Sequence, residues 1–151
     1  MSIEQAYNFK VIDLKTTSSG VISAEQLQQL SNLNYQWVIN LLPSDSEYAT
    51  ADEQQLVEDQ KIAYRHIPVD FAKPTGTDYE KFSLAMQQAG GKKTHIHCAA
   101  NYRASAFFAI YAYQNLNWTT AQAKEHIESL WQPADYPNWL ALLKEMIDGY
   151  Q

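Results

Sequence analysis

The chain reads as an α/β protein built on a mostly parallel sheet of four to five strands with helices on both faces, one domain over residues 1–151. Three observations predict it. Four short runs rich in Val, Ile and aromatic residues are spaced along the chain, segments of helical periodicity separate them, and helix-start signals recur between the two. The start signal is the capping box, a Ser or Thr followed three residues later by Glu or Gln, in which two terminal amides are satisfied reciprocally.

Taken in order, KVIDL (Lys10 to Leu14) is the first expected strand, and Ser23 with Gln26 opens a helix over 24–31. QWVINLL (Gln36 to Leu42) is the second strand. Ser44 with Glu47 then predicts a helix over 46–60. IAYRHIPV (Ile62 to Val69) is the third strand, and Thr77 with Glu80 predicts a helix over 78–89, closed by Gly90-Gly91. KTHIHC (Lys93 to Cys98) is the fourth strand. The segment over 102–115 is apolar on nearly every face, so it is expected to be the central buried helix. Thr119 with Gln122 opens a helix over 120–131, and a last helix is expected over 136–148. Two loops follow core strands, LPSDSE (Leu42 to Glu47) and DFAKPTGTD (Asp70 to Asp78), and in open α/β sheets the ligand crevice lies beyond the carboxyl ends of the strands.

Composition narrows the function. With 46% hydrophobic and 19% charged residues the chain can bury one core. A formal charge of −6 argues against a nucleic-acid surface, which needs a basic stripe. No apolar run reaches membrane-spanning length and the start MSIEQAYN is polar, so no membrane partner is expected. A single cysteine, Cys98, rules out an internal disulfide and a multi-cysteine zinc site, and favours a reducing, cytoplasmic compartment. The oligomeric state is not encoded in any of these features.

That cysteine stands in HCAANYR (His97 to Arg103), where a strand hands over to the apolar helix. The first turn of a helix offers unpaired N–H groups and a partial positive charge, so an anion at Cys98 or above it is stabilised there. Arg103 is one of only two arginines in the chain, the other being Arg65. Its planar fork suits two oxygens of a phosphate or sulfate. The small residues Ala99 and Ala100, with Asn101 and Tyr102, complete an expected anion cradle. Arg65, Lys73, Lys92 and Lys93 are candidate rim cations. His97 and Cys98 alternate across an extended segment, which assigns His97 a structural role in fixing the loop. Tyr102 either walls the pocket or packs. Trp131 and Trp139 are expected to fill the seam between the C-terminal helices.

HCAANYR, together with the strand KTHI before it and the upstream IPVD, resembles the signature loop of cysteine-dependent protein phosphatases of the dual-specificity type. The order SSGVISAEQLQQL, WVINLL, YRHIPVDF and then the loop is closer to a bacterial phosphatase-like group related to the phosphatase-like domain of beta-lactamase-hydrolase-like proteins. The likeness runs from Phe9 to the helix after Arg103. Two departures stand out. The phosphatase signature has five residues and a glycine between cysteine and arginine, whereas four intervene here and none is glycine. The bacterial group shares the shorter spacing with glycine where this chain has Asn101, and asparagine is the best non-glycine residue for a left-handed backbone. The hydroxyl that usually follows the arginine is displaced to Ser105, a candidate supporting residue.

The resemblance implies a phosphotyrosine-phosphatase-like fold and a phosphohydrolase that needs no cofactor and no metal. Its substrate would be a phosphorylated small molecule or a phosphoprotein. Cys98 would attack phosphorus as a thiolate, the amides from Ala99 to Arg103 would hold the equatorial oxygens, Arg103 would grip two of them, and Asp70 would protonate the leaving group, with Asp45 and Asp78 as rivals. A helix N-terminus and a nearby cation bring thiols from about 8.5 to roughly 3.5–7.5. Other chemistries stay open on the residues alone. The four-residue spacing resembles that of rhodanese-type sulfurtransferases, with Cys98 as a persulfide carrier; an anion cradle without a working acid would be a phosphate-binding module; and His66, His95 and His97 form a conceivable three-histidine metal site.

Overall fold

The computed structural model describes residues 2–151. A five-stranded sheet, β1 (Lys10–Val11), β2 (Thr16–Ser19), β3 (Trp37–Asn40), β4 (Ala63–His66) and β5 (Thr94–His97), runs in the order β1-β2-β5-β3-β4. Only β1 is antiparallel; β2, β5, β3 and β4 are parallel neighbours. The fold class expected from the pattern is the one observed.

Helices α1 (Ala24–Leu27) and α2 (Glu53–Glu58) cover one face of the sheet, with a core that includes Ile3, Leu27, Val38, Val57 and Ile62. Helices α3 (Gly76–Ala89), α4 (Tyr102–Asn115), α5 (Thr120–Glu128) and α6 (Pro137–Met146) enclose the larger core on the other face, around Ile39, Phe82, Ile96, Phe107 and Trp139. As its composition demands, α4 is the central helix, buried continuously from Arg103 to Ile110. Gly90 ends α3 with φ +58°, a left-handed conformation that glycine takes without strain.

Several expectations are corrected. The capping boxes at Ser23/Gln26 and Thr119/Gln122 form. At α3 the box is Thr75 with Asp78, two residues earlier than Thr77 with Glu80, because Thr75 directly after Pro74 is already extended. Ser44 and Glu47 start no helix: residues 44–52 form turns, and α2 begins only at Glu53. The segment is pinned to the α1 side of the molecule by the Thr50 hydroxyl, which donates to the Ile22 carbonyl. The expected helix over 24–31 is a single α turn followed by a 3₁₀ turn at Leu30–Leu33.

The strand that apolar patterning does not reveal is β2, whose sequence is TTSS. All four residues are buried, which is costly for hydroxyls unless each finds a partner. His95 on the adjacent strand supplies two of them. Its Nδ1 lies 2.7 Å from Thr17 Oγ1 and its Nε2 2.8 Å from Ser19 Oγ. Burial, and after it the neighbouring His97, holds the His95 imidazole well below its ordinary pKa, so it is neutral and pairs with hydroxyls.

Candidate active site

Parallel β5 ends at His97, and the chain turns through Cys98, Ala99 and Ala100 into α4. Asn101 makes the turn with φ +69°. Its Nδ2 donates to the Asn8 carbonyl (2.8 Å) and to Ser18 Oγ (3.0 Å), and Asn8 Nδ2 returns a bond to the Ala100 carbonyl (3.0 Å). On the other flank the Ala99 carbonyl accepts from Val21 N (3.0 Å), and Cys98 N donates to the Ser19 carbonyl (3.3 Å). The loop carbonyls are thus turned outward toward the N-terminal segment and β2. No side chain caps α4; the Gly20–Ala100 antiparallel bridge pairs Asn101 N with the Ser19 carbonyl, while among the described residues the amides of Ala99, Ala100, Tyr102 and Arg103 meet no acceptor. Four free donors around a helix start make an electropositive nest.

Cys98 has no exposed surface and belongs to the apolar cluster on the α4 face. His97 points to the opposite face, as alternation requires. There its Nε2 lies 2.5 Å from Oε2 of Glu53, and Tyr64 donates to the same oxygen (3.2 Å) while accepting from Asn40 Nδ2 (3.0 Å). Asn40 Oδ1 in turn accepts from Leu42 N (2.9 Å), which fixes the start of the Leu42–Glu47 loop. Burial, and next to it the Glu53 carboxylate, pushes the Tyr64 phenol far above its ordinary pKa.

Arg103 is buried in the first turn of α4, with Nη1 donating to the Val69 carbonyl (2.9 Å) and its guanidinium 5.5 Å from the Phe71 ring centre. Its Nε has no partner among the described residues. The Val69–Phe71 segment is held from the far side by Trp139, whose indole N–H donates to the Phe71 carbonyl (2.8 Å). Arg103, Phe71 and Asp70 then line one cavity of about 570 Å³ with Leu42, Pro43, Asp45, Ser46 and Pro68. Cys98 is not part of that lining. Asp70 is exposed, and its Oδ1 accepts from Ala72 N (2.9 Å), an Asx turn that orients the carboxylate.

The structure therefore brings together Arg103, Asp70 and the rival Asp45, and takes Asp78 away into the α3 capping box. The suggested rim cations are elsewhere: Arg65 stacks on Trp37 (4.5 Å), Lys93 donates to the Leu33 carbonyl, and Lys92 lies over Trp37, all at the end of the sheet where β3 and β5 begin. Lys73 lines a separate cleft with Pro74 and Asn138. Ser105 supports α4 rather than sulfur. Its hydroxyl donates to the Tyr102 carbonyl (3.0 Å) and accepts from the Trp131 indole (3.0 Å). Tyr102 lies flat on Trp131, ring centres 4.7 Å apart at 4°, which places it in the C-terminal seam. The three histidines are engaged separately, His66 on the Leu42 carbonyl, His95 between two hydroxyls and His97 on Glu53. Asn8, Gly20, Val69 and Glu53 were not legible as site residues, since each acts on the loop only through contacts made across the fold.

The α/β fold that carries this loop is shared with phosphatases of known structure. No family model matches the chain, and no curated protein matches it. Among solved structures, the DUF442 phosphatase-like protein of Shewanella putrefaciens CN-32 is 37% identical, with 97% of this chain and 94% of that one covered at a TM-score of 0.84. The chain belongs to the DUF442 family. More distant structures share the fold: Pseudomonas aeruginosa TpbA, solved with phosphotyrosine, at 15% identity and TM-score 0.73 over 93% of this chain and 85% of that one; and the core catalytic domain of the Saccharomyces cerevisiae PP-IP phosphatase SIW14, solved with citrate, at 16% and 0.72 over 97% and 86%.

Proposed function

We propose that the protein is a phosphomonoester phosphatase that works through a phosphocysteine on Cys98. The observation that supports this reading is the set of unpartnered amides of Ala99, Ala100, Tyr102 and Arg103 directly after the cysteine, in a loop whose Arg103 shares a cavity with Asp70. In the first step the Cys98 thiolate attacks phosphorus, the P–O ester bond breaks, and the leaving alkoxide or phenoxide takes the Asp70 proton. In the second, water attacks the phosphocysteine, its proton passes to the Asp70 carboxylate, and the thiolate leaves with release of inorganic phosphate. The loop amides and Arg103 neutralise the three non-bridging oxygens in both steps.

An incoming dianion draws Arg103 Nη1 away from the Val69 carbonyl and meets the free Nε, forming the two-point grip that suits guanidinium. Cys98 is fully covered, so the anion must reach the sulfur from the loop side as Arg103 turns. The test compares para-nitrophenyl phosphate hydrolysis by the wild type, Cys98→Ser and Arg103→Lys. We expect no turnover from Cys98→Ser and trapping of a phosphoenzyme in acid-quenched wild type. Equal rates for wild type and Cys98→Ser overturn the reading, and thiosulfate-to-cyanide transfer without phosphate release selects the sulfurtransferase instead.

A further inference from the structure

The segment that carries Asp70 is thinly packed. Asp70, Ala72 and Lys73 are exposed and Phe71 is half-buried, and next to the cavity of about 570 Å³ that Asp70 and Phe71 line, Phe71 and Ala72 border another of about 250 Å³. Its placement therefore falls to a few hydrogen bonds. Two of them come from consecutive side chains of α6: Asn138 Nδ2 donates to the Ala72 carbonyl (2.7 Å), and the Trp139 indole N–H donates to the Phe71 carbonyl (2.8 Å). Ala72 N is in turn the donor to Asp70 Oδ1 (2.9 Å), so the residue that Asn138 holds is the one that orients the carboxylate. Trp139 is fully buried in the larger core, which makes the start of α6 a firm anchor.

On the phosphatase reading, on which this inference rests, Arg103 leaves the Val69 carbonyl for the substrate and so gives up its hold on the segment before the proton is transferred. The α6 bonds do not change hands in that step. We propose that Asn138 and Trp139 are positioning residues for the general acid, fixing Phe71 and Ala72 so that the Asp70 carboxyl meets the leaving-group oxygen. Neither lines the Arg103 cavity, so both act through the segment and not on the substrate. A general acid works only within about 2.6–3.2 Å of the oxygen it protonates, and a displacement of about 1 Å can cost roughly 10²-fold in rate.

The test measures kcat/KM for an alkyl phosphate and for para-nitrophenyl phosphate with wild type, Asn138→Ala, Trp139→Phe, Asp70→Asn and the Asp70→Asn/Asn138→Ala double variant. Asn138 is exposed, so its truncation leaves the core intact, and Trp139→Phe keeps a ring while removing the N–H. Each α6 variant slows the alkyl ester by roughly tenfold or more and para-nitrophenyl phosphate by less than about threefold, because only the poor leaving group needs the proton. Adding Asn138→Ala to Asp70→Asn costs nothing further, since the group it positions is gone. Equal slowing of both esters, no slowing, or a further loss in the double variant overturns the assignment. Amide hydrogen exchange at Ala72, whose N–H is held by Asp70, quickens in Asn138→Ala; an unchanged rate also overturns it. A wild type that hydrolyses neither ester removes the phosphatase reading and the assignment together, whereas turnover with equal slowing removes the assignment alone.

Discussion

Asn8 and Asn101 hold one another reciprocally: Asn8 Nδ2 donates to the Ala100 carbonyl, and Asn101 Nδ2 donates to the Asn8 carbonyl. Both backbones are left-handed, with φ +52° and +69°. Asn101 thus does what a glycine does for the turn and also clamps the loop to the N-terminal segment. Replacing it separates the two roles. Asn101→Gly keeps the turn but leaves Ser18 Oγ and the Asn8 carbonyl short of a donor, each loss costing about 1 kcal/mol. Asn101→Ala loses the same bonds and adds a left-handed penalty of about 1 kcal/mol. Urea denaturation should therefore rank wild type above Gly above Ala. An alanine variant as stable as the glycine variant contradicts this account of the turn.

Gly20 faces the loop from β2's end, and a Cβ there would lie 2.5 Å from the Ala99 carbonyl oxygen and 2.9 Å from Ala100 Cα. Both are backbone atoms, so no side chain can swing aside. The strain has to be relieved by moving Ala99 and Ala100, whose amides belong to the nest. Gly20→Ala is therefore expected to weaken inorganic phosphate or vanadate inhibition by about tenfold or more, a loss equivalent to one or two misplaced donors. Unchanged inhibition by vanadate in a folded Gly20→Ala variant counts against the nest as the anion site.

Asp70 and Asp45 line the same cavity, and only Asp70 is oriented by its own turn. A positioned general acid contributes about 10² to 10⁴ in rate, and most for poor leaving groups. Asp70→Asn should accordingly slow alkyl phosphate turnover by that range, with para-nitrophenyl phosphate less affected because its phenolate leaves unaided. Asp45→Asn should change both by less than about tenfold. The reversed order of the two variants transfers the role to Asp45.

How much of this was readable depended on how far apart the interacting residues lie in the chain. The parallel strands β3 and β5 carry the apolar or β-branched runs that burial on both faces requires, and the nucleophile loop stands out because cysteine and arginine are rare here. β2 was invisible: its hydroxyls are stable in the interior only because His95 arrives from far along the chain. The Ser44–Glu47 box satisfied a local rule that the tertiary bond from Thr50 to Ile22 overrode. Glu53 lay inside a segment expected to be ordinary helix, and nothing local marks its bond to His97.

His126 ties the stability of the fold to pH. It is buried between Phe108 and Trp118, its Nε2 has no partner among the described residues, and burial, with a smaller contribution from Lys10, lowers its pKa to about 4. Lys10 is held nearby through Ser129, whose hydroxyl donates to the His126 carbonyl. Because the folded value lies below the unfolded value near 6.5, the unfolded chain binds the proton first as pH falls. Stability from a neutral His126 is complete above pH 6.5, is lost progressively between about 6.5 and 4, and levels off below, for a total of about 3 kcal/mol. His95 loses stability in the same direction. His126→Phe keeps the aromatic packing and removes one titrating group, so the variant's denaturation free energy should fall less steeply than wild type across that window. The difference between the two curves is the readout, since the carboxylates titrate alike in both. Parallel curves from pH 7 to pH 4 would show that His126 is not titrating with the fold.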